Sequence, residues 1–192
     1  QHARAASGTA LLGLDKAGNF TAPCVDAHID AGAYLSRRTK GLLNNMGGVA
    51  GQYKTPAIAT QMSFFFTNRM QTSPYRGFGR PEATYVIERL IDQAARETGR
   101  DALALRQQNL VSADAMPYQT ALTFLYDCGD FPRIVVTAAK NADYAGFADR
   151  RKDSESRGLL RGIGIANPIE VAGGPLKQIR KDIARITVRP DG

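Results

Sequence analysis

Tyr75-Arg76-Gly77-Phe78-Gly79-Arg80-Pro81 opens the stretch that decides the fold, and Glu82 to Gly99 completes it. Pro81 suits the first position of a helix, where its missing N–H costs nothing. Ala83, Val86, Ile87, Leu90, Ile91, Ala94 and Ala95 then recur at helical spacing. Glu82 in the first turn and Arg96 in the last both favour the helix dipole. Gly99 is a natural stop. A long amphipathic helix entered from a glycine-rich loop is therefore expected. The two glycines let backbone N–H groups come close to a ligand. The loop empties into the positive end of the helix, and Arg76 and Arg80 add cations. Phe78 can offer a ring to something flat. Such a loop is either a seat for an anionic, planar ligand or a tight turn that only delivers the chain into the helix.

Working forward, Asp101 can cap a second helix to about Asn109. Residues 111–129 read as irregular. Asp130 can cap a helix beginning near Pro132, and Phe147 to Arg157 reads as a charged helix closed by Gly158. Arg161 to Val171 and Ile183 to Arg189 alternate and read as strands. Working backward, Ala57 to Asn68 reads as an aromatic-rich strand. Leu42, Leu43 and Met46 can sit on a short helix. Thr9–Leu14 and Phe20–Ala31, separated by an Asp15-Lys16-Ala17-Gly18 turn, read as a hairpin. Strands at both ends around a central group of helices make an α+β class. The expected division is a loop at 69–81, a helical region at 82–157 and C-terminal strands at 161–192, all in one unit spanning 1–192.

The 192 residues suffice for one ordinary domain. Hydrophobic residues are 43%, aromatics 8% and charged residues 22%, which excludes disordered, collagen-like and disulfide-scaffold classes. No apolar run approaches the length of a membrane helix. Two cysteines, Cys24 and Cys128, make no secreted framework, and no signal-peptide core follows Gln1, so a cytoplasmic setting is expected. The chain ends in a Pro190-Asp191-Gly192 turn with no return strand, which reads as a piece of a longer polypeptide.

Lysine plus arginine total 25 against 18 acids. Between Ala31 and Pro81 lie Arg37, Arg38, Lys40, Lys54, Arg69, Arg76 and Arg80 with no acid among them. That segment reads as a seat for a phosphate-bearing ligand or nucleic acid, or as a solvated loop region. Cys24, Asp26, His28 and Asp30 share one strand face, but spread too far along it to converge on one ion, so no metal ligands are assigned. Glu170 is a candidate base if buried in a cleft, and otherwise an exposed surface carboxylate. With only His2 and His28, no G-x-S-x-G, no C-x-x-C and no Walker motif, hydrolase and nucleotide-loop classes are not supported.

The segment from Thr67-Asn68 to Pro81-Glu82-Ala83-Thr84-Tyr85 resembles a known family. So, in order and spacing, do Arg106-Gln107-Gln108-Asn109-Leu110, Tyr126-Asp127-Cys128-Gly129-Asp130-Phe131 and Arg161-Gly162-Ile163-Gly164-Ile165-Ala166. They look like the molybdenum-binding large subunit of the xanthine dehydrogenase, aldehyde oxidase and aerobic carbon monoxide dehydrogenase family. The resemblance runs from about Gly8 to Gly192. It implies a fragment of a molybdenum hydroxylase. Molybdopterin, often as the cytosine dinucleotide, carries the metal there, and a water-derived oxygen enters a C–H bond of an aldehyde or N-heterocycle. Iron–sulfur (2Fe–2S) and FAD subunits or domains carry the electrons away. Arg76, Gly77, Phe78 and Gly79 are implied to contact the cofactor, and Phe78 also a flat substrate. Carbon monoxide dehydrogenases place a cysteine where this chain has Gly77, so carbon monoxide is not the expected substrate. The family's glutamate base belongs to a segment beyond Gly192, which leaves no catalytic residue to assign here and implies that the fragment alone is inactive. Strand edges exposed in a fragment can pair between copies as a homodimer or a domain swap. The competing expectation is a free-standing module that binds an anion or nucleic acid through 31–81.

Overall fold

The computed structural model describes residues 5–34, 45–170 and 183–189. Strand β1 (Ala6–Leu14) and strand β2 (Phe20–Gly32) form the expected antiparallel hairpin, closed by the Asp15–Gly18 turn. Asp15 builds that turn, accepting the Asn19 backbone and side-chain N–H groups at 2.8 Å each. On β2, Val25 and Ile29 are buried while Cys24, Asp26 and His28 are exposed, so the period-two pattern sets which face packs inward. Strand β3 (Ala59–Phe66) lies parallel to β2, giving the sheet order β1-β2-β3. The crossover carries a 3-10 turn, Met46–Ala50, whose five residues are all buried. Of the short helix expected around Leu42, Leu43 and Met46, only this part can be compared, because 41–44 lie outside the described residues.

Helix α1 (Arg80–Thr98) follows, with its N-cap at Gly79 and its stop at Gly99 in the left-handed region. Its apolar stripe holds Ala83, Ile87 and Ile91, all essentially without exposure. Helix α2 (Ala102–Asn109) starts at Asp101, whose carboxylate accepts the Ala104 N–H at 2.7 Å. Residues 111–129 contain one 3-10 turn and a two-residue ladder, strand β4 (Tyr118–Gln119) against strand β5 (Leu125–Tyr126). Helix α3 (Phe131–Asn141) is capped by Asp130 as expected, and helix α4 (Phe147–Ser156) is followed by a turn in which the Gly158 N–H donates to the Glu155 carbonyl. The main core joins α1 and α2 to Phe20, Tyr53, Leu110, Val111, Phe124 and Phe131. A smaller cluster of Val25, Met46, Val49 and Ala83 ties the sheet to the start of α1.

The α+β class stands, but the C-terminal strands expected within 161–192 do not. Residues 161–170 and 183–189 have no regular structure, and the rest of that span lies outside the described residues. Alternation makes a strand only where a neighbouring edge pairs with it and one face is covered. Here Ile183, Ile186 and Val188 are 83–89% exposed, so their alternation buries nothing. Between 165 and 168, backbone carbonyls are bound by side chains instead. Arg106 donates to the Ile165 carbonyl at 3.2 Å and Gln52 to the Pro168 carbonyl at 2.9 Å.

Candidate functional site: the loop at the start of helix α1

The loop before α1 turns sharply at residues 75–80. The Phe78 N–H donates to the Tyr75 carbonyl at 2.9 Å, and the Arg80 N–H to the Gly77 carbonyl at 3.1 Å. The Gly79 N–H donates to Glu82 Oε2 at 3.0 Å, which caps the helix. Gly77, Phe78 and Gly79 all take positive φ, at 87°, 29° and 99°. Glycine occupies two of the three because it alone takes that region without strain. Phe78 does not, and such a conformation costs a residue bearing a Cβ about 1–3 kcal/mol unless its surroundings hold it there. A Cβ at Gly77 would lie 2.8 Å from Pro81 Cδ, so no larger residue fits that turn as it stands.

These bonds divide the loop's donors. The N–H groups of 78, 79 and 80 are spent within the turn and cap. Those of Arg76 and Gly77 have no acceptor among the described residues. The Arg76 side chain is exposed and makes no ion pair there. Arg80, expected as a second open cation, is withdrawn. It pairs with Glu170 and lies over the Phe124 ring at 5.0 Å, with its side chain only 11% exposed. Glu170 is 61% exposed in that pair, so the surface alternative describes it better than a base buried in a cleft. An anion meeting this loop therefore finds the Arg76 guanidinium and two backbone donors, beside the half-buried Phe78.

The other basic residues of 31–81 do not gather here. Arg69 lies 3.6 Å from Asp30, Lys54 is exposed, and Arg37, Arg38 and Lys40 lie outside the described residues. Along β2, Asp30 accepts the Thr67 hydroxyl at 2.6 Å and the Gly32 N–H at 2.8 Å. His28 stacks edge-on against Phe65. No group of three or more His, Cys, Asp or Glu side chains able to hold a metal occurs among the described residues.

Sequence reasoning missed a buried polar network under the helices. Arg106, with no exposure, donates to Glu88 Oε2 and to Asp92 Oδ1 at 2.8 Å each. Tyr53 donates to the other Glu88 oxygen at 2.7 Å and accepts from Asn167 at 3.0 Å. Burial first, and then the Glu88 charge beside it, push the Tyr53 hydroxyl far above its usual pKa. Burial works against the Arg106 charge, but Glu88, Tyr53 and Asp92 together outweigh it and raise the guanidinium pKa. Glu88 in the apolar helix pattern and Arg106 in the quoted Arg106-to-Leu110 motif were the available signals. Asn109 completes the motif, donating to the Gly18 carbonyl and accepting the Phe20 N–H at 2.8 Å, which stitches the hairpin to α2.

A cleft of 580 Å³ lies between the β1–β2 face and the first turns of α1. Ala10, Val25, Ile29, Tyr85 and Val86 give it an apolar wall. None of residues 76–79 lines it.

The model of the molybdopterin cofactor-binding domain matches residues 1–110, and the chain belongs to that family. It is 28% identical over 179 residues to the 6-hydroxypseudooxynicotine dehydrogenase complex subunit gamma of Paenarthrobacter nicotinovorans, a match covering 90% of this chain and 22% of that protein. It is 33% identical over 135 residues to the carbon monoxide dehydrogenase large chain of Hydrogenophaga pseudoflava, covering 67% of this chain and 17% of that one. The quinoline 2-oxidoreductase structure from Pseudomonas putida 86 matches with a TM-score of 0.72 at 25% identity, over 80% of this chain and 20% of that one. The chain thus spans about a fifth of the length of the relatives it matches.

Proposed function

We propose that the chain is part of the molybdenum-binding subunit of a hydroxylase in the xanthine dehydrogenase family, acting on an aldehyde or N-heterocycle. The observation that carries this is the family match across residues 1–110, which contain the whole loop. The free-standing anion or nucleic-acid module has weaker support, since Arg80 is withdrawn into its pair with Glu170 and the exposed Arg69 already lies 3.6 Å from Asp30.

Molybdopterin, as such or as its cytosine dinucleotide, fits the donors that the loop leaves open. Its phosphate is an anion, and Arg76 offers a guanidinium beside the Arg76 and Gly77 N–H groups, which have no acceptor among the described residues. When bound, the cofactor supplies the molybdenum at which a water-derived oxygen is passed to the substrate carbon. The chain's own part is to bind and orient. Arg76 and Gly77 hold an anionic edge, Gly79 lets the turn close onto its helix cap, and Phe78 presents a ring against which a flat substrate can lie. The proton-abstracting carboxylate is expected outside this chain. The relative from Paenarthrobacter is named as a complex subunit, and 2Fe–2S and FAD subunits are the partners we assign by that likeness. The two free cysteines suit a cytoplasmic setting.

Arg76→Ala and Gly77→Val in the intact subunit test the reading. Molybdenum per subunit should fall by at least half in both, with the melting temperature little changed for Arg76→Ala. Full occupancy in both variants would overturn the placement of the cofactor at this loop.

A further inference from the structure

We infer that Asn45 is a positioning residue, holding Phe78 in the conformation that the cofactor loop requires. This rests on the cofactor reading of the loop. Three observations carry it. The Asn45 side-chain amide donates to the Phe78 carbonyl at 2.6 Å, across 33 positions of sequence. Asn45 stands at the N-cap of the 3-10 turn, yet its side chain makes no capping bond there. A capping bond would be accepted by the Asn45 side-chain oxygen, and none is made; the amide nitrogen is instead committed to the Phe78 carbonyl, away from its own turn. Finally, Phe78 is a non-glycine residue held at positive φ between two glycines that take the same region without strain.

The anchor is itself fixed. Asn45 leads straight into Met46–Ala50, all buried. Gly47 and Gly48 let that turn lie close against its neighbours. A Cβ on Gly47 would come within 2.5 Å of Thr123 Oγ1, and one on Gly48 within 3.4 Å of the Ala83 methyl group. Ala83 belongs to the first turns of α1 and shares a buried cluster with Met46 and Val49, so the turn bearing Asn45 and the helix that follows the loop pack as one body. Asn45 reaches from that body to the middle of the loop. Its amide hydrogen bond then selects one carbonyl orientation at Phe78, and with it one direction for the Phe78 ring.

The test is a double-variant cycle in the full-length subunit assembled with its partners. Asn45→Asp keeps the size and removes the N–H donor. Phe78→Gly removes the strain that the donor offsets. Molybdenum content per subunit is one readout, and hydrogen exchange of the peptide spanning 75–80 is the other, with the α2 peptide as internal control. Asn45→Asp should speed exchange in 75–80 about tenfold, leave α2 unchanged and lower molybdenum at least twofold. In the Phe78→Gly background the same change should do neither, because glycine needs no holding. A role confined to the stability of the 3-10 turn would act equally in both backgrounds, and that result overturns the proposal. So does wild-type exchange and molybdenum content in Asn45→Asp. Should the aspartate variant not assemble, Asn45→Ala, which also lacks a donor, carries the same comparison. Gly77→Val separates the two levels. If it loses molybdenum while Asn45→Asp does not, the positioning role fails and the cofactor loop stands. If Gly77→Val and Arg76→Ala both keep full molybdenum, the cofactor reading itself fails.

Discussion

Glu88 is a carboxylate on α1 with 4% exposure, and its charge is balanced by a guanidinium that has none. A buried ion pair of this kind is a poor source of stability but a strong constraint, because removing one partner leaves the other charge uncompensated. Glu88→Ala should therefore cost about 3–5 kcal/mol in urea denaturation of the intact subunit. Glu88→Leu with Arg106→Met should recover much of that loss. A single variant as stable as the parent would show that water already reaches the pair. Asp30 presents the opposite case, a carboxylate near the surface end of β2. The Thr67 hydroxyl, then the Gly32 N–H and then Arg69 hold its pKa below 3.8. A depressed carboxylate pKa stabilises the fold above the unfolded value and loses that contribution as pH falls through the folded one. The stability difference between the parent and Asp30→Asn should thus be constant near neutrality and shrink below about pH 4. A difference independent of pH from 7 down to 3 would remove the ionised Asp30 from that account.

At the scale of elements, the helices were readable because their signals are local. Pro81 and Gly99 bracket α1, Asp101 and Asp130 cap α2 and α3, and each start lies within a residue or two of its expected position. Asp101 does more than cap. Its second oxygen accepts the Tyr144 hydroxyl at 2.8 Å, joining the start of α2 to the segment after α3. Asp101→Ala should cost about 1–2 kcal/mol, and Asp101→Asn should restore most of it, since asparagine caps equally well. Equal losses in both variants would assign the effect to charge rather than to the cap. The strands were readable only where they pair with a neighbour in sequence, as β1 does with β2. The parallel partnership of β2 with β3 carries no local mark, because it depends on a crossover. The strands expected after Arg161 failed for the same reason, as periodicity cannot show whether an edge is there to receive it. The loop was legible as a glycine-rich turn into a helix. What stayed hidden was which donors it spends on itself, and that Arg80 turns back to Glu170 while Asn45 arrives from 33 residues away.

At the scale of the whole molecule, the described chain leaves both sheet edges open. The order β1-β2-β3 puts β1 and β3 at the rims, and no other described strand pairs with either. Phe65 and Phe66 on β3 are 52% and 65% exposed, and an apolar cleft of 580 Å³ lies under β1. Open edges and uncovered aromatic side chains are the two features that soluble monomers usually suppress. Relatives about five times as long have four-fifths of a chain with which to cover such surfaces. The 192-residue chain, prepared alone, should therefore self-associate. Light scattering should give a mass above 20.8 kDa that rises with concentration, and the sample should enhance the fluorescence of an apolar dye. Phe65→Lys with Phe66→Lys should reduce both effects, because charge on an edge strand opposes edge-to-edge pairing. A dye-silent monomer at every concentration would mean that the described edges are already protected, and that self-association through them is not a property of this chain.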